Sequence, residues 1–181
     1  YKILEISTPE VDSGLDDLSE AEGHCRIDRS FRKSDQRYWH CLCPHCGTFF
    51  VHRFENFRID ERHPHRSVYE CNNCGDTITE AERVIAVRAG HWDSILKEED
   101  REGRHPGFHI DAFISLMMSY GDIAQDCLDA KTEAEKKAFA NLNLALPYKV
   151  GGEAPDHVKL MERREEGLAR GHVPVRGLIL T

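Results

Sequence analysis

The sequence predicts an α+β chain: β hairpins in the first half, a small helical subdomain in the second, and a strand at each end that belongs to a neighbouring domain. Three observations carry this prediction. Two Cys-x-x-Cys-Gly hooks, Cys43-Pro44-His45-Cys46-Gly47 and Cys71-Asn72-Asn73-Cys74-Gly75, sit among aromatic and β-branched residues with 24 residues between them. Helical spacing and capping signals recur after Thr79. Apolar, strand-like runs open and close the chain at residues 1–6 and 175–181.

The hooks are the most specific of these signals. Two residues between paired cysteines let both sulfurs face one point, and the glycine that follows permits the positive φ that closes such a turn. Two hooks at this separation place Cys43, Cys46, Cys71 and Cys74 around one tetrahedral ion, the layout of a structural zinc ribbon. Disulfide pairing is the alternative, but seven cysteines without a secretory signal or a membrane-length apolar segment favour a reducing compartment. A thioredoxin-like motif needs one such pair at a helix start in a βαβ pattern, and both pairs here lie among strand-like residues. Cys25, Cys41 and Cys127 read as small buried hydrophobes, with Cys41 a rival ligand because it lies two residues before Cys43.

At 181 residues the chain is long enough to bury a core. Its net charge of −8 argues against a protein that coats nucleic acid over its whole surface. The charge is uneven, however. Residues 23–66 hold nine Lys/Arg against five Asp/Glu and six of the eleven histidines. Arg53, Arg58, Arg62 and Arg66 are the candidate nucleic-acid phosphate contacts in that segment, with ordinary solvated surface as the equal alternative. Tyr38, Trp39, Phe49 and Phe50 suit base stacking or, more simply, a miniature core for the ribbon.

In chain order, residues 1–6 read as a buried strand stopped at Ser7-Thr8-Pro9. An acidic loop follows over 10–22, then a weakly amphipathic helix over 25–33 with Ile27 and Phe31 four apart. Residues 37–42 and 48–54 form a hairpin whose turn is the first hook. Residues 56–67, rich in Arg, His and Pro, form an exposed excursion, and 68–70 lead into the second hook. Thr79-Glu80-Ala81-Glu82 is a capping box for a helix that turns Ala81, Val84, Ile85 and Arg88 inward, stops at Gly90 and has its end covered by Trp92. A charged linker over 97–106 precedes a strand-like start at Phe108 and Ile110. Ser119 caps the next helix, one break near Thr132 separates it from another, and a third covers 155–170. The organisation is a connector over 1–36, the ribbon over 37–78, a mainly helical subdomain over 79–174 and a final strand over 175–181.

No phosphate-cradling loop, nucleophile elbow or zinc-protease helix occurs in these residues. The acidic pairs are the pattern of solvated charge. Four thiolates leave no open position for water, so a zinc ion here is structural. On the residues alone, this is a binding or scaffolding module without a visible active site.

The order of several motifs adds a resemblance. Ser7-Thr8-Pro9, Cys25-Arg26-Ile27, Ser34-Asp35-Gln36-Arg37, both hooks, Ala89-Gly90-His91-Trp92, Gly107-Phe108-His109-Ile110, Ala138-Phe139-Ala140-Asn141 and His172-Val173-Pro174 together resemble the large terminase subunit of tailed double-stranded DNA phages, in its lambda-like branch. The likeness spans essentially the whole chain. It departs from the family pattern at 114–120 and 145–148.

This resemblance implies a fragment of a DNA-packaging motor, in which an ATPase pumps DNA and a ribonuclease H-like nuclease cuts it. Ser7 and Thr8 would fall in the ATPase coupling motif, and 178–181 at the first nuclease strand, before any catalytic carboxylate. The ribbon would link the two engines. ATP and magnesium would belong to the parent protein, whose expected partners are double-stranded DNA, the small terminase subunit and the portal. Its place would be the cytoplasm of the bacterial host, with no membrane partner. The alternative class is a free-standing zinc-ribbon nucleic-acid-binding module.

Overall fold

The computed structural model describes residues 3–9 and 25–148. The chain divides into two units, Tyr1–Val150 and Gly151–Thr181, and every described residue belongs to the first. The expected acidic loop, the helix over 155–170 and the strand over 175–181 lie outside the described residues.

Helix α1 (Arg26–Lys33) ends where the Ser34 hydroxyl donates to the Phe31 carbonyl at 2.6 Å. Ser34 and Asp35 are buried, and the Asp35 carboxylate accepts the Gly107 amide at 3.0 Å. Gly107 passes so close that a Cβ there would lie 1.9 Å from the Ser34 hydroxyl, so this crossing admits only glycine.

Strand β1 (Arg37–Leu42) is the centre of one antiparallel sheet, with β2 (Phe49–Phe50) and β6 (His91–Ser94) on either side. Cys41 pairs with Phe50 and Trp39 with Trp92. The second sheet has the order β3 (Phe57–Arg58), β4 (Val68–Glu70), β5 (Thr77–Ile78), also antiparallel. Four further helices follow: α2 (Glu80–Arg88), α3 (Glu98–Arg101), α4 (Tyr120–Asp129) and α5 (Glu133–Leu142). The described residues are therefore mixed α+β, with two small antiparallel sheets and five α-helices.

Capping chemistry starts three of these helices. The hydroxyls of Thr79, Ser119 and Thr132 accept the amides of Glu82, Asp122 and Glu135, whose carboxylates accept the cap amides in return. The core is aromatic where the sheets meet the helices. Phe50, Phe57, Tyr69, Ile78, Phe113, Tyr120 and Ile123 are buried together, and Phe54 meets Phe139 edge-on at 5.5 Å.

Several expectations fail for physical reasons. Ile3, Leu4 and Ile6 are exposed, and among the described residues no strand lies beside them to supply ladder partners. Helix α2 buries Arg83, Ala86 and Val87 rather than Ala81, Val84, Ile85 and Arg88. Trp39, not Trp92, closes its end. The Trp39 indole donates to the Val87 carbonyl at 3.0 Å, and a Cβ on Gly90 would strike that indole at 2.4 Å. Trp92 packs edge-on against Trp39 and Phe108.

The linker over 97–106 contains α3, tied by Arg101 to the carbonyls of Ser94 and Leu96. The run from Phe108 opens with one parallel bridge to Arg37 of β1, the Gly107 carbonyl accepting the Arg37 amide at 2.7 Å, and then breaks into turns whose carbonyls bond to a buried arginine instead of a neighbouring strand. The excursion over 56–67 is partly folded. It contains β3 and a 3-10 turn, Pro64–Arg66, against α4, where a Cβ on Gly121 would sit 3.0 Å from the His65 Cα.

Candidate metal centre

Each hook folds on its own hydrogen bonds, and the two repeat one pattern. Gly47 donates to the Cys43 carbonyl and Gly75 to the Cys71 carbonyl, both at 2.9 Å. Cys43 donates to Thr48 and Cys71 to Asp76, at 3.0 and 2.9 Å. Both glycines take positive φ, +68° and +77°, the conformation that turns the second sulfur back toward the first. The strands on either side aim the hooks at each other.

The sulfurs of Cys43, Cys46, Cys71 and Cys74 all lie within 4.8 Å of one another. Across the hooks, Cys43 to Cys74 and Cys46 to Cys71 are each 4.0 Å. A ZnS₄ tetrahedron with ~2.3 Å bonds has edges of about 3.8 Å, so donor type, number and spacing fit a zinc ion with little adjustment. Cys43 and Cys71 are buried while Cys46 and Cys74 face solvent.

Outer groups steady the sulfurs. The Asn73 side-chain amide donates to Cys46 at 3.5 Å and to the Thr48 hydroxyl at 3.2 Å, and the Asn73 backbone amide donates to Cys71 at 3.5 Å. His45 donates from Nε2 to the Thr77 carbonyl at 3.1 Å, joining the first hook to β5.

The thiols do not ionise alike. The Asn73 amide, then Thr48, hold Cys46 down at about 6. Burial pushes Cys43 up. The Asp76 backbone amide draws Cys74 down, but partial desolvation beside the other sulfurs and hydrogen bonds with Cys71, Cys46 and Cys43 outweigh it and push Cys74 up to about 12. Four thiolates this close repel one another, and a divalent cation is the counter-charge that lets all four ionise together.

Cys41 is not in the cluster. It is fully buried, and its sulfur meets His52 Nδ1 at 3.6 Å. His52 in turn reaches the Tyr120 hydroxyl through Nε2 at 2.9 Å and stacks on Phe113 at 5.3 Å. Burial lowers His52 to about 3 and raises Cys41 to about 12, so this pair is neutral and inert rather than a nucleophile and base.

The candidate arginines separate in space. Arg58 is bound to Glu70 at 2.7 Å and to the Glu55 carbonyl at 3.0 Å. Arg53 lies over the Tyr38 ring at 5.0 Å. Arg62 and Arg66 are exposed on a loop shaped by the Asp60 carboxylate, which accepts the amides of Arg62 and His63. Ser7 and Thr8 are exposed far from the sulfur cluster in sequence, beside a cleft of about 360 Å³ between residues 4–7 and α1. Glu5 anchors that segment: a hydrogen bond from Ser30 and then one from Arg26, at 2.9 Å, hold its carboxyl below the usual range.

Sequence reasoning missed Arg83. Its side chain is 0% exposed and pairs with Glu80 at 2.8 Å. It donates to the carbonyls of Ala112, Phe113, Ser115 and Met118 at 2.6–3.2 Å, with its guanidinium 4.9 Å from the centre of the Tyr120 ring. The acceptors lie about thirty residues downstream, so no local pattern announces them.

Two matches to known families meet on this architecture. Residues 1–92 match the family described as phage terminase large subunit gpA, ATPase domain, and residues 105–181 match terminase large subunit gpA, endonuclease domain. Both describe parts of one class of protein, the large subunit of a viral terminase. The chain belongs to the phage terminase large subunit gpA family. It spans the end of the ATPase domain and the start of the endonuclease domain.

A human protein, Pogo transposable element with ZNF domain, is 29% identical over 87 residues, which is 48% of this chain and 6% of the human protein. No solved structure matches the chain. Among the described residues no helix is long and apolar enough to cross a membrane.

Proposed function

We propose that the chain is the connecting region of a phage DNA-packaging motor, in which a zinc ribbon holds the packaging ATPase and the DNA-cutting nuclease in register. The single observation that carries the ribbon reading is the set of four sulfurs within 4.8 Å, presented by two hooks of repeated geometry. Membership of the gpA family supports the motor. Cys43, Cys46, Cys71 and Cys74 would hold the ion. Its chemistry there is charge neutralisation and cross-linking, since four protein ligands complete a tetrahedral shell.

Ser7 and Thr8 would sit in the segment that couples nucleotide state to DNA movement. Glu5 and Arg26 would pass displacement of that segment to α1, and Phe31, edge-on to Tyr38 at 5.6 Å, would pass it to the ribbon. ATP and magnesium would act in the parent protein, on double-stranded DNA and with the small subunit and portal, in the host cytoplasm.

The test measures metal content and turnover on this chain. One zinc per molecule, loss of near-ultraviolet circular dichroism on chelation, and no hydrolysis of ATP or magnesium-dependent cleavage of DNA are the expected results. Gently purified protein without metal would refute the ribbon, and intrinsic catalysis would refute the connector.

A further inference from the structure

The two hooks repeat one backbone pattern, and their side chains break it at one place. His45 and Asn73 each stand just before the second cysteine of their hook, and each reaches across to the other half of the ribbon. The His45 ring takes the Thr77 carbonyl at 3.1 Å and lies 3.4 Å from the Glu82 carboxylate, and among the described residues it hydrogen-bonds to no sulfur. The Asn73 amide instead donates to the Cys46 sulfur at 3.5 Å and to the Thr48 hydroxyl at 3.2 Å. Both of its N–H donors are therefore spent on the first hook.

This makes the two solvent-facing sulfurs unequal. Cys46 receives hydrogen bonds from the Asn73 side chain and from both the amide and the hydroxyl of Thr48. Cys74 receives one from the Asp76 amide, and among the described residues its other hydrogen-bonding neighbours are the three remaining sulfurs. Cys43 and Cys71 are buried and withdrawn from reagents in solution.

Asn73 is itself held from behind. Its neighbour Asn72 accepts from the Tyr69 hydroxyl at 3.1 Å and from the Asn56 side-chain amide. Tyr69 is fully buried in β4, and its hydroxyl takes the Arg53 amide at 3.0 Å. Thr48 belongs to the closing bond of the first hook, where its carbonyl accepts the Cys43 amide at 3.0 Å. The second hook is thus fastened to the core, and Asn73 fastens the first hook to the second.

A hydrogen bond to a thiolate stabilises the same lone pair that holds a metal or attacks an electrophile. A sulfur with three donors is less free to react than one with a single donor. We infer that Asn73 and Thr48 position Cys46 as the fixed outer ligand of the metal centre and leave Cys74 as the sulfur at which the centre opens to soft electrophiles. This opening point rests on the ribbon reading and adds to it the place where the ion departs. With a maleimide, the Cys74 sulfur adds to an alkene carbon. A carbon–sulfur bond forms, the bond from sulfur to the metal breaks, and the displaced π pair takes a proton from water, releasing hydroxide.

The experiment treats the zinc-loaded chain with substoichiometric N-ethylmaleimide, follows released zinc with a colorimetric chelator and maps the labelled cysteines by peptide mass spectrometry. Among the four ligands Cys74 should be labelled first, in step with zinc release, and Cys46 later. Asn73→Ala should raise the labelling rate of Cys46 in the loaded chain about tenfold and bring it level with Cys74. Thr48→Val, which removes the hydroxyl and keeps the shape, should move Cys46 in the same direction. His45→Ala, at the matching place in the other hook, should leave the order unchanged. Labelling of Cys46 before Cys74 in the parent chain overturns the proposal, as does an unchanged Cys46 rate in both the Asn73 and Thr48 variants, or an equal rise in the His45 variant. A chain that carries no zinc at the outset overturns the ribbon reading and this inference together, whereas a zinc-loaded chain that reacts first at Cys46 overturns this inference and leaves the ribbon standing.

Discussion

The hook tip and the Arg83 centre hold several polar groups at close quarters in opposite ways. At the tip, four sulfurs converge among residues that are mostly exposed, and among the described residues no Lys, Arg or His side chain hydrogen-bonds to them. At the centre, one buried cation is matched by Glu80 and four carbonyls from the turns after Phe108. The first arrangement has the donor set of a metal site. The second is complete within the chain, because a guanidinium carries five donors in a fixed fork and every donor group has an acceptor. Stability at the tip is therefore conditional on the surroundings, and at the centre it is built in.

Four measurements break or sharpen this contrast. Chelating the metal should have the largest effect, on the order of 10 kcal/mol of metal-linked folding energy, with loss of order confined to the hooks and the strands they join. Hydrogen exchange reads this. Protection lost equally at Tyr120 and Ile123 would mean that the two regions are not independent.

Replacing Arg83→Met should cost about 3–5 kcal/mol in urea unfolding, since it leaves Glu80 and several carbonyls without their partner. It should leave zinc stoichiometry unchanged. A loss below about 1 kcal/mol would show that water satisfies those carbonyls as well as the arginine does.

His52 gives the third. Burial lowers it from 6.5 to about 3, so between those values the unfolded chain binds a proton that the folded chain refuses. Its contribution is present in full above 6.5 and is lost as pH falls toward 3. Asp111 works against this. Burial raises its carboxyl from 3.8 to about 6, so stability from that group falls as pH rises through the same interval. The variant His52→Gln lacks the first dependence. Its stability deficit, about 1–3 kcal/mol at neutral pH, should narrow in acid when both proteins are compared at equal zinc occupancy. A deficit that stays constant with pH would mean that His52 is not the titrating group.

The smallest effect belongs to the cap. Thr79→Ala should cost about 1 kcal/mol and lower the melting temperature without altering zinc content or DNA affinity. Loss of metal in that variant would mean that the cap reaches the first hook through the contact between His45 Nε2 and Glu82, 3.4 Å apart.

What the sequence made legible was local. The hooks, the β1–β2 hairpin and the caps at Thr79 and Ser119 are set by residues within a few positions of one another, and the structure places them as read; the break near Thr132 proves to be a third capping box, and the residues after the second hook pair back on β4. The clustering of the four sulfurs follows from the same spacing. What stayed hidden depends on distant partners. A charged residue at position 83 scores as solvent-facing in any periodicity count, yet its acceptors arrive from residues 112–118. The alternation beginning at Phe108 yields a single bridge to β1 at Arg37 and no longer ladder, because the carbonyls further on go to Arg83. The charge surplus over residues 23–66 was visible, but not which arginines remain available, because Glu70 claims Arg58 while Arg104 joins α1 from outside the segment.

The repeated hooks have one more consequence, for what the chain can accept in evolution or in the laboratory. Metal held across them would bind the two hairpins directly, so the 24 residues between hooks need not be short to be stable. Lengthening a closed loop is cheap, about 0.6 kcal/mol for each doubling. The tip of the excursion at Glu61 and Arg62 is exposed and lies outside both sheets. Foreign sequence inserted there, whether a reporter peptide or an entire small domain, should leave both hooks and the buried arginine undisturbed.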